Sequence, residues 1–136
     1  MIALDSSIVI GLMKGEPDLG HLVDTVPRER IALAASTVVE IQAWVARRLR
    51  SGRSEFVEAL LTSPETVISP FTAAMAAEAS RAFALYGRGS GSPANLNFGD
   101  ALVYGHAKVL GLPLLFKGGD FNHTDLVFDP RSVAIA

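Results

Sequence analysis

The chain has no cysteine among its 136 residues. This absence excludes a disulfide framework, a thiolate metal site and a cysteine nucleophile, so any metal ion must be bound by oxygen or imidazole. No apolar run approaches the roughly 20 residues that a transmembrane helix needs. Near the amino terminus, Asp5 stands where a signal peptide would carry basic residues and then an apolar core. We therefore expect a cytoplasmic protein that does not bind a membrane.

The chain also lacks a strong excess of charge of either sign. A formal net charge of −2 argues against a protein that coats polyanions, because nonspecific affinity for nucleic acid grows with the number of phosphates that lysine and arginine neutralise. The composition, 49% hydrophobic and 19% charged, is that of a globular protein rather than a disordered one. At this length we predict one domain, residues 1–136.

Short apolar runs alternate with amphipathic stretches along the chain. Strands are predicted at 2–4, 31–34, 66–68 and 114–116, and helices at 8–14, 17–26, 36 to near 52, 55–61, 73–85 and 97–110. Residues 87–93 are rich in glycine and end in proline, so they form a loop. Because each parallel crossover needs a connection of helix length, the alternation predicts an α/β fold with a central, mostly parallel sheet flanked by helices.

Four acidic residues follow the predicted strands or open the helices after them: Asp5, Glu40, Asp100 and Asp120. Ligands of open α/β sheets bind beyond the carboxyl ends of the strands, where these residues fall. If the four carboxylates converge, their repulsion raises some of their pKa values unless a cation neutralises them. Mg²⁺ prefers such oxygen ligands, and the matching reaction is hydrolysis of a phosphodiester.

Each acid also has a structural interpretation. Thr37 and Glu40 have the spacing of a capping box, Asp100 is favourable at a helix amino terminus, and Asp120 follows two glycines as a turn aspartate often does. Asp5 can cap a helix, although a carboxylate between two apolar runs is costly unless it is paired or bound to metal. The functional hypothesis depends on the recurrence of all four acids at one end of the sheet.

Several neighbouring side chains have two possible roles. Ser6 and Ser7 either position water or phosphate, or cap the helix that begins at Ile8. Thr124 and Asp125 either brace the acidic site or close a local turn.

Basic side chains offer possible contacts with RNA. Arg47 and Arg48 belong to the densest basic cluster, which continues to Arg53, and Lys117 could meet a phosphate as a point charge. The alternative for all of them is a solvated surface. Trp44 beside the cluster is interpreted as a core or interface residue rather than a platform for base stacking.

A resemblance to a known family is carried by four stretches: Asp5-Ser6-Ser7, STVVEI around Glu40, NFGDAL around Asp100, and KGGDF followed by TDL around Asp120 and Asp125. In this order and spacing they resemble the PIN-domain ribonucleases of the VapC toxin family over essentially the whole chain. The resemblance implies a PIN-like fold and endonucleolytic cleavage of RNA that depends on Mg²⁺ or Mn²⁺. It also implies a homodimer and neutralisation by a VapB-like antitoxin. The protein would contact DNA only indirectly, through this antitoxin.

Carried over by position, the resemblance assigns Asp5, Glu40, Asp100 and Asp120 to the catalytic site, with Asp5, Asp100 and Asp120 as metal ligands. A serine after the first aspartate is typical of the family, which favours a supporting role for Ser6 and its neighbour. One departure is Gly119, where several relatives carry a further acid. Binding of a second metal ion is therefore expected to be weaker than in those relatives, and the choice between a one-metal and a two-metal mechanism stays open.

Two enzyme alternatives fit the residues less well. A haloacid-dehalogenase-like phosphatase requires another aspartate at position 7, where this chain has Ser7. A receiver domain requires a pair of acids before its phosphorylated aspartate, and the chain lacks one. The alternative from another class is a catalytically degenerate PIN domain that only binds RNA or protein. Since all four acidic positions are filled, we expect an endoribonuclease.

Overall fold

A computed structural model describes residues 1–135. Four parallel strands form the central sheet: β1 (Ile2–Leu4), β2 (Ile31–Ala34), β3 (Thr66–Ser69) and β4 (Leu114–Leu115). Their order across the sheet is β3-β2-β1-β4. The predicted parallel sheet is confirmed, and the fourth strand is one residue shorter than predicted.

Within the described residues, five α-helices flank the sheet: α1 (Ser6–Lys14), α2 (Ala35–Arg48), α3 (Glu55–Thr62), α4 (Ala73–Tyr86) and α5 (Phe98–Leu110). The predicted helix over 17–26 is wrong, because this segment forms two short 3₁₀ helices, Pro17–Leu22 and Val26–Arg28. Pro27 therefore lies inside the second of them. In residues 1–135, no helix is both long and apolar enough to span a bilayer.

The order of the strands creates one crevice in the sheet. From β1 the chain adds β2 and then β3 on one side, whereas β4 pairs with β1 on the other, with Ala3 opposite Leu114. The connections therefore reverse direction between β1 and β4. In open parallel sheets, ligands bind at such a switch point, beyond the carboxyl ends of the strands.

Alternating side chains of the strands build a core on each face of the sheet. Leu4 and Leu33 pack into one apolar cluster with Ile8 of α1, while Ala3 and Phe116 pack into the other. The second cluster includes Tyr104, which is fully buried. Strands β1, β2 and β4 are buried on both faces, as parallel strands covered by helices are, whereas the edge strand β3 exposes Val67 and Ile68.

Helix α5 lies against α4 because Gly105 leaves no side chain between them. A Cβ atom at this position would come within 2.3 Å of the carbonyl oxygen of Met75. Helix α5 ends at Gly111, which adopts the left-handed conformation with φ 64°. This packing fixes the position of the amino terminus of α5, where Asp100 lies.

A second, two-stranded sheet was not predicted from the sequence. Its strands are β5 (Lys117–Gly118) and β6 (Val133–Ala134), which run parallel. The amide of Val133 donates to the carbonyl of Phe116 at 2.9 Å, so the carboxyl-terminal segment returns beside β4. Residues 87–93 form the predicted loop, in which Gly87 makes an isolated bridge to Leu96. Residue 136 of the predicted domain lies outside the described residues.

Candidate active site

Asp5 lies directly after β1 and is 6% exposed. Its Oδ2 accepts a hydrogen bond from the amide of Ser7 at 3.1 Å, and its own amide donates to the carbonyl of Leu115 at 3.1 Å. Asp5 is thus the cap of α1, and the prediction that Ser6 or Ser7 caps this helix is wrong. Burial raises the pKa of Asp5 to about 6, against the lowering effect of the Ser7 bonds, and the charge of Glu40 raises it further.

Asp100 lies in the first turn of α5. Its Oδ2 accepts from the amide of Asn97 at 3.0 Å, while its own amide donates to the Asn97 side chain at 2.8 Å, so the two residues form a capping box. Burial raises the pKa of Asp100 to about 7 despite this bond, and the charges of Asp5 and Asp120 act in the same direction. The three carboxylates therefore lie near enough to interact electrostatically.

Glu40 lies on α2 with an exposed side chain that points towards the start of α5. A Cβ atom at Gly99 would be 3.8 Å from Oε2 of Glu40. The predicted capping box between Thr37 and Glu40 is wrong. Helix α2 begins at Ala35, and its cap residue Ala34 makes no side-chain bond, because β2 runs directly into the helix.

Asp120 follows β5 and precedes the 3₁₀ helix Phe121–His123, without capping it. Glycine is required at each of the two preceding positions for a different reason. Gly118 has a φ of 145°, which residues with side chains rarely adopt. A Cβ atom at Gly119 would lie 2.9 Å from the carbonyl oxygen of Ile135, so the returning carboxyl-terminal segment leaves no room for an acid at 119.

These positions bring the four predicted acids to the switch point between β1 and β4. Across residues 1–135, no group of three or more acidic or histidine side chains is arranged to hold a metal ion. An open, oxygen-only arrangement still fits Mg²⁺, which is commonly held by one or two carboxylates and keeps several waters. The raised pKa values of Asp5 and Asp100 also fit a cation, because positive charge would relieve the cost of ionising them.

Comparisons with known proteins agree with this geometry. The PIN-domain model matches residues 2–126. Ribonuclease VapC42 of Mycobacterium tuberculosis is 38% identical over 124 residues, which cover 90% of this chain and 95% of the relative. The chain belongs to the VapC family of PIN domains. The resemblance seen in the sequence is confirmed.

Two solved structures show the fold that this VapC-family chain shares. VapC20 of Mycobacterium tuberculosis, a toxin that cleaves the sarcin–ricin loop, has a TM-score of 0.68 at 19% identity. That match covers 93% of this chain and 97% of the other. A toxin–antitoxin complex from Klebsiella pneumoniae gives 0.69 at 16% identity, over 98% and 100% of the two chains. The predicted PIN-like fold is confirmed.

The serines of this PIN domain have different surroundings. Ser6 is buried at the start of α1. Ser7 donates its amide to Asp5, and its hydroxyl accepts from the amide of Lys117 at 3.0 Å. The side chain of Lys117 is held by Glu16 and by Asp18, the latter at 2.9 Å. Its charge is thus already paired, which weakens the prediction that Lys117 contacts RNA.

Thr124 and Asp125 act on the fold near the site. The Thr124 hydroxyl donates to the carbonyl of Phe121 at 2.7 Å and closes a local turn. Asp125 accepts from the hydroxyl of Tyr104 and from Lys108 at 3.3 Å, so it ties the segment after Asp120 to α5. The sequence did not indicate Tyr104, because its partner lies 21 residues away and the contact follows no local pattern.

Two arginines of the predicted basic cluster lie on α2 beside Glu40. Arg47 and Arg48 are exposed, and with Trp44 they line a pocket of about 240 Å³ that Glu40 also lines. The structure therefore places two of the predicted RNA-binding residues on the same surface as one of the acids. Lys117 is not among the residues that line this pocket.

Proposed function

We propose that the chain is an endoribonuclease toxin of the VapC type that hydrolyses RNA phosphodiester bonds with Mg²⁺ or Mn²⁺. The observation that carries the proposal is the pair Asp5 and Asp100. Two carboxyl groups with pKa values raised to about 6 and about 7 lie at the switch point of a parallel sheet. Perturbed acids in such a crevice are typical of catalytic sites, and the similarity to VapC42, named as a ribonuclease, supports RNA as substrate.

The acids divide into two roles in this mechanism. Asp5 and Asp100 are the oxygen ligands that would hold the metal ion, and Asp120 adds negative charge beside them. The ion supplies Lewis-acid stabilisation of the charge that develops on the phosphate oxygens and favours deprotonation of the attacking water. The exposed Glu40 accepts a proton from that water. The water oxygen then bonds to phosphorus while the bond from phosphorus to the ribose oxygen breaks. The leaving oxygen takes up a proton from solvent water, to which Glu40 returns the proton that it accepted.

Purified, partner-free protein tests this function directly. A mixture of structured RNAs is incubated with Mg²⁺, Mn²⁺ or EDTA, and the wild type is compared with Asp5→Asn and Asp100→Asn. Asp24→Asn is the matched control, because it makes the same chemical change in an exposed residue. Asp24 precedes β2, whereas the acidic site lies beyond the carboxyl ends of the strands. We expect cleavage by the wild type and the control that EDTA abolishes and both site variants lack.

The outcomes separate the two function classes. Cleavage that persists in both Asp5→Asn and Asp100→Asn would contradict the acidic site. Folded protein that binds RNA and cuts none with either metal would instead support a degenerate PIN domain that acts as a binding module.

The protein partner and the oligomeric state form a further part of the proposal. A cognate VapB-like antitoxin is the expected inhibitor, and a homodimer is the expected assembly. An apolar pocket of about 470 Å³ between α4 and α5 supports a protein interface, since Phe83, Phe98 and Leu102 line it and Phe98 is 72% exposed. Exposed aromatic side chains beside such a pocket are typical of interface cores.

Light scattering after size exclusion tests the homodimer. We expect twice the chain mass of 14.4 kDa, and a shift towards monomer in Phe98→Ser. Val23→Ser removes an exposed apolar side chain from a different surface and should keep the dimer. A monomeric wild type at micromolar concentration would contradict this assembly.

A further inference from the structure

One face of α2 carries an aromatic and a basic side chain whose role the acidic site does not explain. Glu40, Trp44 and Arg47 are separated by four and three residues, so they lie on the same face of the helix. The pocket they line, about 240 Å³, is completed by Ile10, Ala43 and Arg48. Arg47 lies about 10 Å along the helix from Glu40, given a rise of 1.5 Å per residue. The pocket therefore runs from the acidic site towards the basic end of the helix.

Trp44 is held in place from one side. It is half-buried and packs against the core cluster that contains Ile41 and Val45, and it also lines the pocket. An indole anchored by a core has little rotational freedom to lose on binding. Its flat surface suits an unpaired nucleobase, because stacking uses a face that every base has.

Arg47 and Arg48 differ from four other arginines of the chain in having no acidic partner. Arg53 pairs with Glu58 at 2.8 Å, and the other arginines paired with carboxylates are Arg30, Arg81 and Arg131. Within residues 1–135, no carboxylate lies within salt-bridge distance of Arg47 or Arg48. Two exposed, uncompensated guanidinium groups attract phosphate and can contact it through two hydrogen bonds.

We propose that Trp44, Arg47 and Arg48 form a subsite for single-stranded RNA adjacent to the phosphate that is cleaved at the acids. An unpaired base stacks on Trp44 while the arginines contact the neighbouring phosphates. The proposal rests on the proposed ribonuclease function and makes it more specific, because it requires an unpaired nucleotide beside the cut. RNA fits the pocket better than an acidic peptide does, since the pocket is continuous with Glu40 and combines an aromatic face with phosphate-binding charge.

The composition of the chain makes the stacking directly measurable. Trp44 is the only tryptophan, so intrinsic tryptophan fluorescence reports this position alone. The Asp100→Asn variant is titrated in EDTA with a single-stranded RNA dodecamer of mixed sequence and, in parallel, with the same strand in a duplex. Fluorescence anisotropy of a labelled strand measures binding independently of Trp44. We expect saturable quenching by the single strand and little by the duplex, whose bases are already stacked.

Variants in the same Asp100→Asn background assign the contacts. Trp44→Leu should weaken binding by roughly 5- to 150-fold, the range for one stacked base, and Trp44→Phe by less. Arg47→Gln and Arg48→Gln should each weaken binding and reduce the salt dependence, by about 0.7 in the slope of log K against log salt per lost phosphate contact. The control is Arg28→Gln, the same loss of charge in an exposed residue before β2, which should retain the slope. Circular dichroism confirms that each variant is folded.

The outcomes separate this inference from the ribonuclease function. Binding without quenching, or equal affinity in Trp44→Leu, would overturn the subsite while wild-type cleavage leaves the function intact. Absence of both binding and cleavage would overturn both. Quenching by an acidic peptide of the same length, with none by RNA, would assign the pocket to a protein partner instead.

Discussion

The hydroxyl of Ser7 accepts a hydrogen bond from the backbone amide of Lys117 at 3.0 Å. The two residues are 110 positions apart and lie on the two sides of the crevice between β1 and β4. Because the amide of Ser7 also donates to Asp5, this one residue links the carboxylate after β1 to the strand that leads to Asp120. Ser7 therefore acts as a brace between the two halves of the acidic site.

Removing this brace should lower the free energy of unfolding. In Ser7→Ala the amide of Lys117 loses its partner in a partly buried position, which costs about 1–3 kcal/mol. The matched control is Ser36→Ala, because the Ser36 hydroxyl is buried and has no hydrogen-bond partner in the described part of the chain. Urea denaturation measures both variants. We expect destabilisation in the first and a neutral or stabilising effect in the second, and equal effects would contradict the brace.

The ionisation of Asp5 should make stability depend on pH in the absence of metal. Its pKa is raised from the usual 3.8 to about 6 in the folded state. The folded state therefore keeps a proton that the unfolded chain loses. This stabilisation is complete below about pH 4, falls as the pH rises through 6, and is absent at pH 8.

Asp5→Asn isolates this effect, because asparagine also caps helices and cannot ionise. At pH 8 in EDTA we expect the variant to be more stable than the wild type by about 1–3 kcal/mol, the order given by a shift of two pKa units in a buried group. Thermal denaturation at pH 8 and pH 4 measures the difference, which should disappear at the lower pH. A variant that is less stable than the wild type at pH 8 would show that ionised Asp5 does not destabilise the folded state.

Divalent metal should offset the cost of ionising the buried carboxyl group of Asp5. We expect Mg²⁺ or Mn²⁺ at pH 8 to raise the melting temperature of the wild type, since a ligand that binds only the folded state stabilises it. The shift should shrink as the pH falls below about 7 and 6, because protons then compete for Asp100 and Asp5.

Calorimetric melting curves with and without metal test this. Asp100→Asn should lose most of the shift, and Asp24→Asn should keep it. An equal shift in the wild type and in the double variant of Asp5 and Asp100 would place the ion elsewhere.

The sequence predicts the acidic site where chemistry and local structure coincide. Asp5 is identifiable because an acid separates two apolar runs, and Asp100 because it lies in the first turn of a predicted helix. The interpretation of Glu40 as a capping residue is wrong because β2 continues into α2 without a turn, which shifts the start of the helix to Ala35. Local signals cannot report such a junction, since the sheet determines where the strand ends.

Other features depend on contacts between distant residues. The strands β5 and β6 have two residues each and form only because the carboxyl-terminal segment returns to Phe116. In the sequence, Gly119 is notable only because several relatives carry an acid at this position. The structure shows that the carbonyl of Ile135 leaves no room for a side chain there. No periodicity in 136 residues encodes either contact.

Tyr104 is the last such feature, and its role can be tested. Its buried hydroxyl donates to Asp125 and accepts from Nη2 of Arg81 at 2.7 Å, so it joins α4, α5 and the segment after Asp120. Burial and the charge of Asp125 raise the pKa of Tyr104, which keeps the phenol protonated as a donor. Tyr104→Phe removes both bonds but keeps the packing of the ring, and should cost about 1–3 kcal/mol, as expected for bonds to charged groups.

The control for this change is Tyr86→Phe. The ring of Tyr86 lies 6.2 Å from that of Tyr104, and within residues 1–135 its hydroxyl makes no hydrogen bond to another side chain or to the backbone. Urea denaturation at pH 7 should therefore show a lower midpoint for Tyr104→Phe and an unchanged one for Tyr86→Phe. Equal midpoints would mean that solvent replaces both bonds without loss. In that case the segment after Asp120 is held against α5 by the pair of Lys108 and Asp125 instead.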